Sequence, residues 1–169
     1  MADRSRPIMN IADVALRTNA QGDRFEAQLG QIGGQIGAEK LGCMLHVVPA
    51  GKRAFPRHAH HVIEEMFVVL EGEGTYIAGS DSWPIRAGDV ISAPPGGGDT
   101  AHQIINSSDS ELRYLGLSTQ DDPDVVEYPD SDKFLVVSGI PDGGGFRDAR
   151  ILHIGRTSDG LDYWDGEET

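Results

Sequence analysis

The chain has 169 residues, of which 27 are acidic and 14 are basic, so its formal net charge is −13. This length favours a single domain, and the negative surface disfavours nucleic acid and anionic membranes as partners. A single cysteine, Cys43, excludes an intrachain disulfide. The sequence has no apolar stretch of secretory or membrane-spanning length, so we expect a soluble cytoplasmic protein.

The first 40 residues predict an N-terminal arm followed by edge segments of a larger structure. We interpret residues 1–10 as a loose arm. Asn10 is a favourable N-cap, so the sequence predicts a short helix from there to Arg17. Glycines crowd the stretch 30–37, which predicts a loop or an irregular edge.

Residues 41–120 carry the densest strand signals and are expected to form the core of the domain. Short runs of β-branched and aromatic residues alternate there with turns rich in glycine and proline. Strands are predicted at 41–48, 66–70, 75–78, 83–86, 90–93, 102–106 and 112–118. Because no helices alternate with these strands, the pattern predicts an all-β sandwich or barrel.

The remaining segment, 121–169, differs in charge, with 13 acidic and 4 basic residues. Strands are predicted at 133–138 and 149–154. No internal repeat is visible along the chain. We therefore expect an acidic C-terminal extension that packs on the barrel or on a second subunit, within one domain.

Three histidines and one glutamate have the spacing of a metal site. His58 and His60 are two residues apart, Glu65 follows five residues later, and His102 lies 37 residues beyond Glu65. Side chains at i and i+2 of a strand point to one face, so His58 and His60 would project side by side. Imidazole and carboxylate ligands suit one divalent transition metal such as Mn, Fe, Zn or Ni. Ordinary surface histidines are the alternative, which the fourfold pattern disfavours.

Two motifs frame these residues and resemble those of the cupin superfamily. In the first motif, Gly51 precedes His58 and His60, and six residues separate Glu65 from Gly72. Glu64 would be the ligand under a shorter spacing, but Glu65 gives the family's gap to the glycine. The resemblance implies a single cupin double-sheet β-barrel of the jelly-roll type, with a metal held in its mouth.

Fifteen residues separate Gly72 from Gly88, where the second motif begins, and this short spacing is typical of compact bacterial members of the family. Gly88, Pro94, Gly96, His102 and Asn106 follow its order. The chain departs from the family in one place, because five residues separate Gly96 from His102 where the family has two. Both motifs together cover about residues 51–106.

Strand alternation places further residues around the predicted metal. Phe67 should share a face with Glu65, and Ile104 should share one with His102, so both are candidate walls of an apolar pocket. Gln103 would then face away. The catalytic acid or base is not identified by the sequence, and the candidates are Glu64 and His61.

Three basic residues, Lys52, Arg53 and Arg57, precede the predicted ligands. They could recognise an anionic substrate group such as phosphate or carboxylate. A solvated loop in an acidic protein is the simpler interpretation and the one we favour.

The function expected from the resemblance is that of a metal-dependent enzyme acting on a small oxygenated metabolite, by isomerase or lyase chemistry. The resemblance is to cupins described as sugar-phosphate-isomerase-like. Two alternatives remain open, an iron-dependent dioxygenase and a non-catalytic small-molecule binding protein. Exposed sheet edges tend to seek a partner, so we also expect a homodimer.

Overall fold

The computed structural model describes residues 6–141 and 144–168, and nearly all of its regular structure is β-sheet. Short 3₁₀ turns provide the helical residues. The strands of the described chain are β1 (Arg17–Gln21), β2 (Phe25–Gln31), β3 (Leu41–Val48), β4 (Ala59–His60), β5 (Glu65–Glu71), β6 (Glu73–Ala78), β7 (Asp81–Arg86), β8 (Val90–Ala93), β9 (His102–Ile105), β10 (Leu112–Thr119), β11 (Asp124–Tyr128), β12 (Lys133–Ser138) and β13 (Ile151–Gly155). The all-β prediction is therefore confirmed.

The strands form two facing walls. One wall is a six-stranded sheet with the order β1-β2-β3-β10-β5-β8. The other consists of a three-stranded sheet, β7-β6-β9, and a four-stranded sheet, β13-β12-β11-β4. A bridge between His58 and His102 joins these two smaller sheets. All pairs of neighbouring strands are antiparallel, as expected for a double-sheet barrel.

The main core lies between the walls. Val48, Phe67 and Val69 of the six-stranded sheet pack with Tyr76 and Ile104 of the opposite wall. Successive strand residues point to opposite faces, so the alternating apolar pattern of β5 places Phe67 and Val69 inside. Burial of such side chains contributes about 25 cal/mol for each Å² of apolar surface.

The N-terminal segment covers the outer face of the six-stranded sheet. Val14 and Ile32 pack there against Leu45 and Val47 of β3 in a second apolar cluster. The predicted helix from Asn10 to Arg17 is wrong in length. Asn10 does cap a turn, but that turn is a 3₁₀ helix over Ile11–Asp13, and the chain is extended again at Val14. Extended backbone at Val14 allows its side chain to enter the outer cluster.

Four strands were not predicted from the sequence. β1 is polar and fully exposed, so it carries no alternating pattern, and its register comes from pairing with β2. The glycine-rich stretch 30–37 begins within β2 and ends in a 3₁₀ turn, Gly34–Ile36. β4 has only two residues, and β11 is a short, partly acidic strand.

The C-terminal extension continues the second wall of the barrel. β11 pairs with β4 on one side and with β12 on the other, and β13 pairs with β12. Val126, Leu135 and Val137 form a small apolar cluster of their own. The extension therefore reaches the barrel at the strand that carries His60.

Apolar side chains remain exposed on the outer face of the six-stranded sheet. They include Leu41, Met66, Leu70 and Val90, which point away from the barrel interior. The homodimer expected from the sequence has this surface available and stays a prediction. Within the described residues, the structure has no helix of the length and apolarity needed to cross a membrane.

A candidate metal centre between the barrel walls

Four side chains converge where β4, β5 and β9 meet. The Nε2 atoms of His58, His60 and His102 lie 3.7, 3.6 and 3.0 Å from one carboxylate oxygen of Glu65. The ligand atoms of His58, His60 and Glu65 all lie within 4.8 Å of one another. His102 joins this group because its Nε2 atom contacts the same Glu65 oxygen. The structure thus brings together the four residues that the sequence singled out; their role as metal ligands stays a prediction.

The other ring nitrogens of two of these histidines are held by acceptors. His58 Nδ1 donates to the carbonyl oxygen of Pro56 at 2.8 Å. His60 Nδ1 donates to the carboxylate of Asp124 at 2.5 Å. A proton fixed on Nδ1 leaves the lone pair of Nε2 free, which is the form of histidine that binds a metal. Three imidazole nitrogens and a carboxylate oxygen therefore fit one divalent transition metal ion.

The charges around Glu65 favour its ionised form. Burial raises the pKa of Glu65, but hydrogen bonding by His102 and His58 and the positive charge of His60 outweigh burial and hold it well below its usual range. Burial likewise lowers the pKa of His102, although Glu65 opposes this effect. Glu65 is thus ionised, as metal binding requires, whereas an imidazole that donates to Glu65 through Nε2 has to give up that proton when a metal binds there.

Asp124 is the residue that sequence reasoning missed. It is the first residue of β11 and is 1% exposed. One carboxylate oxygen accepts from His60 Nδ1, and the other accepts from the backbone N–H of Val62 at 3.1 Å. Burial raises the pKa of Asp124, but the hydrogen bond and charge of His60 and the backbone N–H groups of Val62 and Ile63 together outweigh burial and lower it. Asp124 therefore fixes the orientation of the His60 ring.

We predict that Asp124→Asn weakens metal binding about 10–100-fold, the usual cost of losing a carboxylate behind a ligand histidine. The amide keeps the volume but lacks the charge that stabilises the Nδ1 proton. A competition titration with a chromophoric chelator measures the dissociation constant. Asp121→Asn, on an exposed residue just before β11, is the matched control. Equal affinities in the two variants would contradict the role of Asp124.

The predicted pocket walls are both buried. The ring of Phe67 lies 5.7 Å from that of His102, between centroids, so Phe67 borders the site. Ile104 belongs to the same apolar cluster as Phe67. Tyr76 adds a further ring, 6.1 Å from that of His102, and burial raises its pKa to about 12. Gln103 points the other way, as predicted, and donates to the carbonyl of Phe55.

His46 brings a polar atom into the barrel interior. Its ring stacks on Tyr114 with centroids 4.5 Å apart. Burial lowers its pKa to about 4, so the ring is neutral near pH 7. Its Nδ1 is buried and has no hydrogen-bond partner in the described part of the chain. Gly116 makes room for it, because a Cβ there would lie 2.8 Å from His46 Cε1.

The two candidates for acid–base catalysis lie outside the convergent group. His61 Nε2 contacts Glu127 Oε1 at 2.6 Å, and the His61 side chain is 43% exposed. Glu64 is exposed, and its backbone N–H donates to Thr119. Glu65, rather than Glu64, is thus the carboxylate beside the histidines. The catalytic roles of His61 and Glu64 stay predictions.

Two of the three basic residues before the site, Arg57 and Lys52, hydrogen-bond to backbone carbonyl groups and are only partly exposed, which differs from the solvated loop that we favoured. Arg57 donates to the carbonyl oxygens of Gly79 and Ala101 and pairs with Asp130 at 3.1 Å. Lys52 donates to the carbonyl oxygen of Asp23.

The five residues between Gly96 and His102 include a 3₁₀ turn, Gly98–Thr100. Glu127 Oε2 accepts from the backbone N–H of Gly98 at 3.1 Å, and Arg57 holds Ala101. The longer gap is therefore taken up by a turn that is fixed at both ends. His102 still begins β9 and reaches Glu65.

Comparison with known proteins agrees with this geometry. The family described as Cupin domain matches residues 44–118, which span β3 to β10 apart from their outermost residues. This stretch of the chain is therefore similar to the cupin domain family, and the barrel around it has the fold of a double-sheet cupin barrel. Its barrel carries a possible metal-binding group formed by His58, His60 and Glu65.

Two solved structures are similar over nearly the whole chain. One comes from Acidithiobacillus ferrooxidans and is proposed to be a sugar phosphate isomerase; it is 24% identical, with a TM-score of 0.74, over 95% of this chain and 98% of its own. The other is a sugar phosphate isomerase of the cupin superfamily from Silicibacter pomeroyi; it is 19% identical, with a TM-score of 0.74, over 94% and 98%. At these identities the likeness shows the fold.

A curated relative extends the comparison to an archaeon. An uncharacterized protein of Methanocaldococcus jannaschii is 29% identical over 85 residues, which are 48% of this chain. The match spans 65% of that relative's length.

Proposed function

We propose that this protein is a metal-dependent cupin enzyme that acts on a small oxygenated metabolite by isomerase or lyase chemistry. The observation that carries the proposal is the convergence of three Nε2 atoms on one Glu65 oxygen, with two of the three rings held through Nδ1. Similar solved structures described as sugar phosphate isomerases support the same class of reaction.

His58, His60, Glu65 and His102 would hold the metal. A bound divalent ion supplies Lewis-acid polarisation of substrate oxygens. The buried rings of Phe67 and Tyr76 exclude water from one side of the site.

Elemental analysis of protein purified without added metal or chelator tests the metal site. We expect about one transition metal for each chain. Proton NMR in D₂O then tests the reaction, because isomerases that act through an enediolate exchange the carbon-bound proton of an aldose or ketose phosphate with solvent. Protein that contains no metal and takes up no Mn, Fe, Ni or Zn would refute the proposal.

An iron-dependent dioxygenase is the second candidate. It is favoured by the aromatic wall, in which the Phe67 ring lies 6.5 Å from Tyr76 and 6.0 Å from Tyr114, between centroids. Such a wall suits an aromatic substrate. Iron in the purified protein together with oxygen consumption would favour this candidate. Ligand retention without turnover would instead favour a binding protein.

A further inference from the structure

A cleft of about 520 Å³ opens beside the metal centre. It lies between the strands β11 and β12 and the segment that follows β13. Its lining combines the apolar side chains of Val125, Pro129 and Phe134 with polar and charged side chains. The lining side chains that carry charge or can form hydrogen bonds are His61, Glu127, Tyr128, Asp132, Lys133, Arg156 and Thr157.

Two cations in this cleft are available to a ligand. Lys133 and Arg156 are two of the four basic residues after residue 120. Neither forms an ion pair with a carboxylate of the described chain, whereas Lys52, Arg57 and Arg113 do. Lys133 Nζ lies 5.5 Å from the centre of the Tyr128 ring, which holds the ammonium group over the cleft wall.

The carboxylates of the cleft form no ion pair with Lys133 or Arg156 within the described residues. Both oxygens of Glu127 are engaged, one by His61 Nε2 and the other by the backbone N–H of Gly98. Asp132 is the second carboxylate, and it is exposed at the end of a 3₁₀ turn. The hydroxyl of Thr157 adds a neutral donor beside Arg156. A fork of guanidinium donors, an ammonium group and a hydroxyl suit the tetrahedral oxygens of a phosphate.

The cleft shares its wall with the metal centre. His61 directly follows the predicted ligand His60, and its backbone N–H donates to Val125, another residue of the cleft. The Tyr128 ring stacks against the ring of His58 with centroids 6.2 Å apart. The Tyr128 ring therefore lies between the predicted ligand His58 and the ammonium group of Lys133. A substrate of the metal centre would extend past this ring to place its charged end in the cleft.

We propose that Lys133 and Arg156 form an anion subsite that binds the phosphate group of the substrate. This inference rests on the proposed function, because it assigns the substrate of the metal centre to the phosphate monoesters. It also moves anion recognition from the basic residues before the ligands, which have structural partners, to the acidic C-terminal extension.

Titration of the metal-loaded protein with inorganic phosphate, followed by calorimetry and ³¹P NMR, tests the subsite. We expect the double variant Lys133→Gln/Arg156→Gln to bind phosphate at least about tenfold more weakly than the wild type. Each of the two substitutions removes a charged hydrogen-bond donor to the phosphate. Asp132→Asn should bind it more tightly. Arg147→Gln removes one charge from the same extension outside the cleft and should bind as the wild type does. Acetate should compete poorly.

The same titration on chelator-treated protein separates this inference from the proposed function. Phosphate binding that survives metal removal and is lost in the double variant supports the subsite, even for a chain that never held metal. Phosphate binding that requires the metal and ignores the double variant overturns the subsite and leaves the metal enzyme standing. Equal weakening by Arg147→Gln would also overturn it, because only the general charge would then matter. Metal uptake by each variant confirms that it has folded.

Discussion

The variant His58→Ala/His60→Ala is expected to be isolated without metal, whereas we expect the wild-type chain to contain about one transition metal ion. Two of the four predicted ligands are lost, and Glu65 and His102 alone cannot complete the coordination of a transition metal. Asp124 also loses the Nδ1–H that it accepts in the wild type. Elemental analysis of both proteins, purified side by side, gives the metal content for each chain.

His61→Ala is the matched control for this experiment. It removes an imidazole from the position next to His60, but His61 contacts Glu127 rather than the convergent group. We expect this control to keep its metal. A double variant that retains one metal for each chain would exclude these histidines as ligands, and loss of metal from His61→Ala would show that the turn between β4 and β5 had been disturbed.

Gly72→Ala is expected to reduce the free energy of unfolding by an amount on the order of 3–5 kcal/mol, among the largest single-residue effects. Gly72 joins β5 to β6 with a φ of +82°, and a Cβ there would lie 2.4 Å from the carbonyl oxygen of Glu111. Both partners in that clash are backbone or attached to it, so neither can move without displacing a strand. Urea unfolding followed by circular dichroism measures the change.

Gly88→Ala separates the two causes of that loss. Gly88 has a φ of +94°, and a Cβ there would have no atom within 4 Å. We expect only the cost of the left-handed backbone, about 1–2 kcal/mol. The difference between the two variants then measures the close approach at Gly72. If they cost the same, the approach of Glu111 to Gly72 contributes nothing to stability.

The strands with strong apolar patterns could be predicted from the sequence. β3, β8 and β12 have the predicted bounds, because alternating or continuous apolar residues stop at Pro49, Pro94 and Gly139. β1 could not be predicted, since its five residues are all exposed and four of them are polar. β4 has two residues and exists because β11 pairs with it, which is information held 64 residues along the chain.

The candidate site likewise contains residues that could be predicted from the sequence and residues that could not. The four predicted ligands lie within the two motifs, whose spacing the fold then converts into proximity. Asp124 could not be singled out, because it is one of 13 acidic residues after position 120 and no local spacing links it to His60. The cleft around Lys133 and Arg156 could not be predicted from the sequence either, since its walls come from β11, β12 and the segment after β13.

The position of Asp124 has a consequence for how the protein is made. Chains leave the ribosome N-terminal end first and fold as they emerge. A nascent chain that ends before β11 already contains His58, His60, Glu65 and His102, but it lacks both the strand that pairs with β4 and the carboxylate that orients His60. The metal site that we propose is therefore complete only after β11 has been translated and has paired with β4.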